Sequence, residues 1–294
     1  QAENLVYFYE DFNNTVKQAN ELVNAKTPLV LQARLNLFQG IIYQRQGNYR
    51  RSQETLTKAL LQAKSVKLSS LYIYTKQELA YTRTLTEIFE TSLVDIQEAY
   101  VEAFALKDQF LIATINETYG AIYGYLHDYE KSIEYYQKAL EAYQNLNYPA
   151  HVAEAIYGLA STYRYWKKYD LAIEYYQQYQ QKISYTPNTN ISFFSAYGLA
   201  MTLAEKGDCH AAIPIIEQAL LLKGAEDYRA ELYKRQASCF IDLGQTVEAE
   251  QAIINAERIF VSIPELMGTT WQLEVTKIAA ELAYVRGEHD TGYS

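Results

Sequence analysis

The sequence predicts an all-α fold: a solenoid of about six stacked helix pairs with partial units at its ends. Three observations carry this. The chain of 294 residues is 49% hydrophobic, yet it has only 12 Gly and 5 Pro against 29 Tyr, a composition of long helices and short turns. It also repeats. Tyr157-Gly158-Leu159-Ala160 recurs as Tyr197-Gly198-Leu199-Ala200, and Ile133-Glu134-Tyr135-Tyr136-Gln137 as Ile173-Glu174-Tyr175-Tyr176-Gln177, both 40 residues apart. The third observation is a set of uniform columns at that step. Gly40, Ala80, Gly120, Ala160 and Ala200 are all small, as are Ser52, Ser92, Ser132, Ala172 and Ala212. A further column, Ala59, Ala99, Ala139 and Ala219, is interrupted only by Tyr179, while Tyr49, Phe89, Tyr129 and Tyr169 form an aromatic column that ends in Cys209.

Taken in order, Leu5 to Asn24 reads as one lone helix. Pairs follow at about 29–65, 68–106, 109–146, 150–184, 191–222 and 227–262, the later ones at looser spacing through Ala237, Ala249 and Ala256. Tyr185 to Asn190, with Pro187, reads as the most flexible turn. A last helix runs from about Met267 to Arg286 through Ala280, closing at Gly287, and its partner would begin near His289. Each pair has a physical logic. The first helix carries a small residue where its partner approaches, a turn such as Gln46-Gly47-Asn48 follows, and an aromatic residue plugs the base. Small residues on the second helix let it nest against its neighbours, and no pair hides its apolar face alone, so pairs must stack.

The formal net charge is −9. With no Lys/Arg-rich run, the chain is a poor counterion-release partner for phosphate backbones, so no nucleic-acid binding is expected. The most apolar window, Ala211 to Leu222, contains Pro214 and Glu217 and is well short of the roughly 20 residues of a spanning helix, so no membrane contact by this chain is expected. The chain starts at Gln1 and breaks off within a pair, and the expectation is a single solenoid domain, 1–294, that is a piece of a longer protein continuing past Ser294.

Chemistry is sparse. His127, His151, His210 and His289 all fall near predicted turns without ligand spacing and read as solvated turn residues, so no metal site is expected. Phosphate-cradling glycine motifs and a G-x-S-x-G elbow are absent, and no cofactor is expected. Carboxylates occur in surface patterns such as Glu130/Lys131/Glu134/Lys138, which support helices and do not form a catalytic pair. The chain is therefore read as no enzyme, with no catalytic residue. Cys209 and Cys239 fall at similar height on adjacent helices; a disulfide is geometrically feasible, but two separate buried thiols are the expected state.

The repeat resembles the tetratricopeptide (TPR) family. Tyr119-Gly120-x-x-Tyr123 followed by Asp128-Tyr129-Glu130-Lys131-Ser132-Ile133-Glu134-Tyr135-Tyr136-Gln137-Lys138-Ala139-Leu140 is the stretch most like its consensus. The period departs from the family's usual 34, so helices or linkers should be longer by about a turn and a half. The second unit is degenerate, with Arg83 where others have Tyr43, Tyr123 and Tyr163. The resemblance implies a right-handed α-α superhelix whose first helices line a concave groove. Projected into that groove are Gln77, Tyr81, Glu117, Glu154, Tyr157, Ser161, Arg164, Tyr197, Met201 and Lys234, together with Glu231 and Ser238. Tyrosines offer stiff contact area with a hydroxyl, suited to a protein, an extended peptide or a small aromatic or polar ligand; the alternative is that they pack between helices. The Lys/Asn/Arg clamp that some TPR domains close on a C-terminal carboxylate is missing, since Leu37, Ile41 and Thr118 stand there.

The 40-residue spacing and the stretch from Trp271 to Gly287 also look like the N-terminal TPR regions of bacterial GGDEF proteins, the membrane-bound diguanylate cyclases. That resemblance implies a non-catalytic sensory region in signal transduction, held in the periplasm as the soluble part of an inner-membrane protein. The alternatives are a free-standing protein–protein adaptor and a cytoplasmic TPR receptor for signalling peptides. Self-association into a homodimer is left open.

Overall fold

In the computed structural model, residues 9–24, 26–183, 189–222, 226–262 and 270–288 are described, with side chains at 9–12, 189–191, 226–227 and 270–271 left aside. The described secondary structure is all helical. After α1 (Tyr9–Glu21), the helices come as pairs: α2 (Leu29–Arg45) with α3 (Tyr49–Ser65), α4 (Ser69–Thr84) with α5 (Phe89–Leu106), and α6 (Gln109–Tyr125) with α7 (Tyr129–Asn145), followed in the chain by α8 (Pro149–Tyr165) and α9 (Tyr169–Ile183). Then follow α10 (Thr189–Lys206) with α11 (Cys209–Leu221), α12 (Glu226–Asp242) with α13 (Thr246–Ser262), and α14 (Thr270–Val285). These bounds match the pairs expected from the sequence. Of the turn expected at Tyr185 to Asn190, residues 185–188 lie outside the described residues, and Thr189 and Asn190 already belong to α10; the helix partner beyond His289 also lies outside them. Among the described residues, no helix is long and apolar enough to cross a membrane.

The extra length of the repeat sits in the helices. The α2, α3, α6, α7 and α8 helices each have 17 residues, and three-residue turns at 46–48 and 126–128 complete the 40-residue unit. Every such turn is built alike. Gly47, Lys67, Glu87, Lys107, His127, Asn147, Lys167 and Gly207 all have left-handed φ between 53° and 87°. At each turn the next amide bonds back five residues, as Asn48 N–H does to Tyr43 O (2.9 Å) and Asp128 N–H to Tyr123 O (3.0 Å), which is a Schellman closure. At four of these turns that same residue caps the following helix: Asn48, Asp108, Asp128 and Asp208 accept from backbone N–H groups of the first turn. One three-residue turn thus ends one helix and starts the next.

The chain divides into two compact units, residues 1–162 and 163–294. Each is a TPR-like solenoid. In the first, α2 packs on α3 and α4, α4 on α5 and α6, and α6 on α7; in the second, α10 packs on α9, α11 and α12, and α12 on α13 and α14. First helices therefore touch successive first helices.

The small columns are where helices approach. Ala80, Ala160 and Ala200 are fully buried, as are Ser52, Ser92, Ser132, Ala172 and Ala212. A Cβ on Gly40 would lie 2.6 Å from Leu56 Cδ2, and one on Gly120 2.7 Å from Tyr136 Cδ2. The serines have a further role, since Ser92 Oγ donates to Ala80 O (2.7 Å) and Ser132 Oγ to Gly120 O (2.8 Å), tying the second helix to a first-helix carbonyl. Many tyrosines are packing residues: Tyr135 stacks on Tyr119 (4.7 Å) and Tyr123 (5.4 Å), and Tyr163 on Tyr175 (5.3 Å).

Cys209 and Cys239 are joined in a disulfide with Cα atoms 5.1 Å apart. This overturns the expectation of separate thiols. The packing of α12 on α11 sets the first residue of α11 against the last turns of α12, so both sulfurs enter the same core layer with Phe193, Ala212 and Leu232.

Candidate functional site

The 40-step places Gln77 on α4, Glu117 on α6 and Tyr157 on α8 in one column of the first unit, with Tyr74, Thr114 and Glu154 three residues earlier in each helix. The α4 helix packs beside α6, and Glu117 on α6 lies beside Glu154 on α8, so these columns share one face. Gln77 is locked within it, donating to Thr114 O (3.2 Å) and accepting from Thr114 Oγ1 (2.9 Å). Tyr81, Glu117, Glu154, Tyr157 and Ser161 are half-buried.

The centre of this face is a polar cluster. Tyr143, the fully buried residue near the end of α7, donates its hydroxyl to Glu117 Oε2 at 2.7 Å. His151 Nδ1 lies 3.1 Å from Glu154 Oε2, one helical turn away on α8. The His151 ring stacks on Tyr143 with centroids 4.9 Å apart, and Phe110 meets it edge-on at 5.2 Å and packs on Tyr148 at 5.0 Å. One donor atom each from Glu117, His151 and Glu154 lies within 4.8 Å of the others. Burial, then repulsion from the Glu154 carboxylate, pushes the Glu117 carboxyl up to about 8, against the opposing pull of Tyr143's hydrogen bond. Burial likewise raises Glu78, which faces Arg45, and Tyr74 beside it.

His151 corrects the reading of the histidines as solvated turn residues. Its side chain is 17% exposed and it sits in the first turn of α8, between aromatic rings. His127 does occupy a turn, at left-handed φ, and is exposed; His289 lies outside the described residues. The reading of carboxylates as surface patterns holds for Glu134, paired with Lys138 at 2.6 Å; Glu117 and Glu154, projected into the groove, are half-buried. Sequence reasoning placed those two glutamates on the face singly. It missed Tyr143 and His151 because they come from the end of one helix and the start of the next; the signal available was the aromatic run Tyr143, Tyr148 and His151 around one turn.

The second unit is different. Arg164 donates to Glu205 at 2.8 Å, Arg235 reaches both Glu205 (3.6 Å) and Glu231 (3.4 Å), and Lys234 pairs with Glu231 (2.5 Å) and Glu274. Arg164 and Lys234 are buried and already neutralised. Tyr197 packs on Phe193 (6.1 Å) and Tyr228 (5.1 Å), its hydroxyl raised by burial and by Glu231. Met201, 2% exposed, is core and offers no surface to a groove. Ser238 is half-buried on α12. The candidate residues of the two units thus do different things: those of the second are tied in an ion-pair ladder and a core, and those of the first enclose a carboxylate–imidazole cluster.

Residues 111–181 match the tetratricopeptide repeat family. No curated protein sequence matches the chain. Solved structures do. The chain is similar to a Rap protein complexed with competence and sporulation factor (15% identity, TM-score 0.63, covering 98% of this chain and 74% of that one). It is similar to NprR in complex with its cognate peptide NprX (14%, TM-score 0.61, 100% and 87%). It is also similar to a STAND protein with a tetratricopeptide repeat sensor from Pyrococcus horikoshii (13%, TM-score 0.69, 97% of this chain and 42% of that one). At these identities the likeness is one of fold.

Proposed function

We propose that the chain is a non-catalytic binding domain that takes a peptide or a protein segment along the first-helix face of residues 69–162. The observation that carries this is the row Tyr81, Glu117, Glu154, Tyr157 and Ser161: half-buried polar and aromatic side chains that recur on successive first helices, beside the buried Gln77. Half-buried tyrosines give such a segment stiff surfaces with a hydroxyl at the edge. The net charge of −9 favours a basic partner over an acidic one. The peptide complex of NprR supports the class of ligand on the same fold. An array of basic, neutral and acidic decapeptides tests it. Retention of basic peptides that is lost in Tyr81→Ala and Tyr157→Ala supports the reading, and retention indifferent to both substitutions refutes it.

A finer reading places this domain as the sensory region of a GGDEF-type signalling protein, outside the cytoplasm. Its support is the sequence from Trp271 to Gly287 and the Cys209–Cys239 disulfide, a bond that persists in oxidising compartments. In that arrangement the ligand would bias a catalytic half by binding two states unequally. A coding sequence without a downstream GGDEF motif would remove it.

A further inference from the structure

Glu117 on α6 and His151 and Glu154 on α8 bring one imidazole nitrogen and two carboxylate oxygens within 4.8 Å of one another, and we propose that they hold a divalent metal ion of the zinc type. The donor set fits such an ion. Zinc takes imidazole and carboxylate at about 2.0–2.2 Å, which puts tetrahedral donors roughly 3.4 Å apart. His151 Nδ1 and Glu154 Oε2 are already at 3.1 Å, and a Glu117 oxygen lies within 4.8 Å of both. Calcium or magnesium would call for about six oxygens, which this cluster lacks.

The surroundings are those of a ligand shell. The buried Tyr143 fixes Glu117 through its hydroxyl and backs His151 with its ring, and Phe110 and Tyr148 wall the imidazole. The two carboxylates also differ from others of the chain in their neighbours. Inward carboxylates elsewhere have a basic side chain: Asp95 has Arg83, Glu205 has Arg164, and Glu231 has Lys234. Among the described residues neither Glu117 nor Glu154 is bridged by a lysine or arginine; the charges acting most strongly on Glu117 are Glu154, His151 and Glu78. Three protein ligands leave a fourth position open.

Glu117 and Glu154 also lie on the proposed binding face, and the test uses no peptide, so its failure leaves the peptide reading standing. The untagged 294-residue chain is stripped with EDTA, dialysed, and titrated with zinc chloride by calorimetry, with bound metal counted by elemental analysis. Both cysteines are in the disulfide, so no thiolate competes. One zinc per chain is expected, with affinity on the order of micromolar, a melting temperature raised by several degrees, and little response to calcium. His151→Asn and Glu154→Gln should each weaken binding ten-fold or more, and Tyr143→Phe by less; circular dichroism checks that each variant folds. His127→Asn should bind like the parent. No stoichiometric uptake, uptake unchanged in His151→Asn and Glu154→Gln, or loss in His127→Asn overturns the assignment.

Discussion

Arg83 on α4 and Asp95 on α5 form an ion pair at the two positions where the next repeat stacks Tyr123 on Tyr135 and the one after stacks Tyr163 on Tyr175. The apparent degeneracy at Arg83 is therefore a matched exchange of one interhelical contact for another. Either residue replaced alone strands its partner in a half-buried place, where unpaired charge is costly. Arg83→Tyr and Asp95→Tyr should each lower stability by about 1–3 kcal/mol, and the double variant should recover most of it by restoring the stack. Urea denaturation of the four proteins measures the coupling; additive losses would show that the two positions act separately.

Gly120 leaves room for the Tyr136 ring, which would stand 2.7 Å from any Cβ placed there. Gly120→Leu or Ala160→Leu should unfold the local pair, because neighbouring backbones cannot take the volume. Gly120→Ala is the milder case, with an expected loss of about 1–3 kcal/mol. Combining it with Tyr136→Leu should return part of that loss. A thermal melt of Gly120→Leu indistinguishable from the parent would place the repeat in another register.

Glu87 and Lys167 hold left-handed φ of 61° at turns whose 40-step equivalents at 47 and 207 are glycine. A side chain in that conformation costs about 1–2 kcal/mol. Glu87→Gly and Lys167→Gly should each stabilise the chain by about 1 kcal/mol after the added freedom of the unfolded state is counted. Gly47→Val should do the reverse. Melting temperatures that fall in both glycine variants would contradict the turn geometry.

Helix bounds were legible because they follow from local chemistry repeated along the chain: a small residue at an approach, a left-handed turn residue and, at Asn48, Asp108, Asp128 and Asp208, a side-chain cap. The site was legible only in part. Glu117 and Glu154 share the first-helix columns and could be placed by counting, whereas Tyr143 lies on a second helix and His151 next to a turn. They meet only because α7 and α8 are joined tightly enough to fold one ring onto the other. Met201, Arg164 and Lys234 obeyed the same counting, yet the second unit spends those positions on core and ion pairs. Periodicity reports which side of a helix a residue occupies; it does not report what the neighbouring helix brings to it.

The Glu117 carboxyl, raised from its ordinary value to about 8, binds a proton in the folded state over a range where the unfolded chain has lost it. Its contribution to stability is fully present below the unfolded value near 4.5 and is lost as pH rises through about 8. With EDTA present, the urea midpoint should therefore fall between pH 5 and 8.5. Glu117→Gln keeps an acceptor for Tyr143 without the charge, so it should flatten that slope and be the more stable protein at pH 8.5. An identical slope in both proteins would assign the pH dependence to other groups such as Glu78.

The Cys209–Cys239 bond closes a loop with a sequence separation of 30 residues between α11 and α12. Confining a loop of that length in the unfolded chain is worth about 3–4 kcal/mol by the chain-entropy account. Both cysteines lie in the same core cluster as Phe193, Ile216 and Leu232, so the second unit should bear the loss. Reduction under native conditions, or Cys209→Ser with Cys239→Ser, should speed amide exchange in α10–α12 while α4–α7 of the other unit keep theirs. Intact mass should rise by two hydrogens on reduction, and alkylation before reduction should label neither cysteine. Full labelling of the unreduced protein would mean that the thiols are free, and with them would go the case for an oxidising compartment.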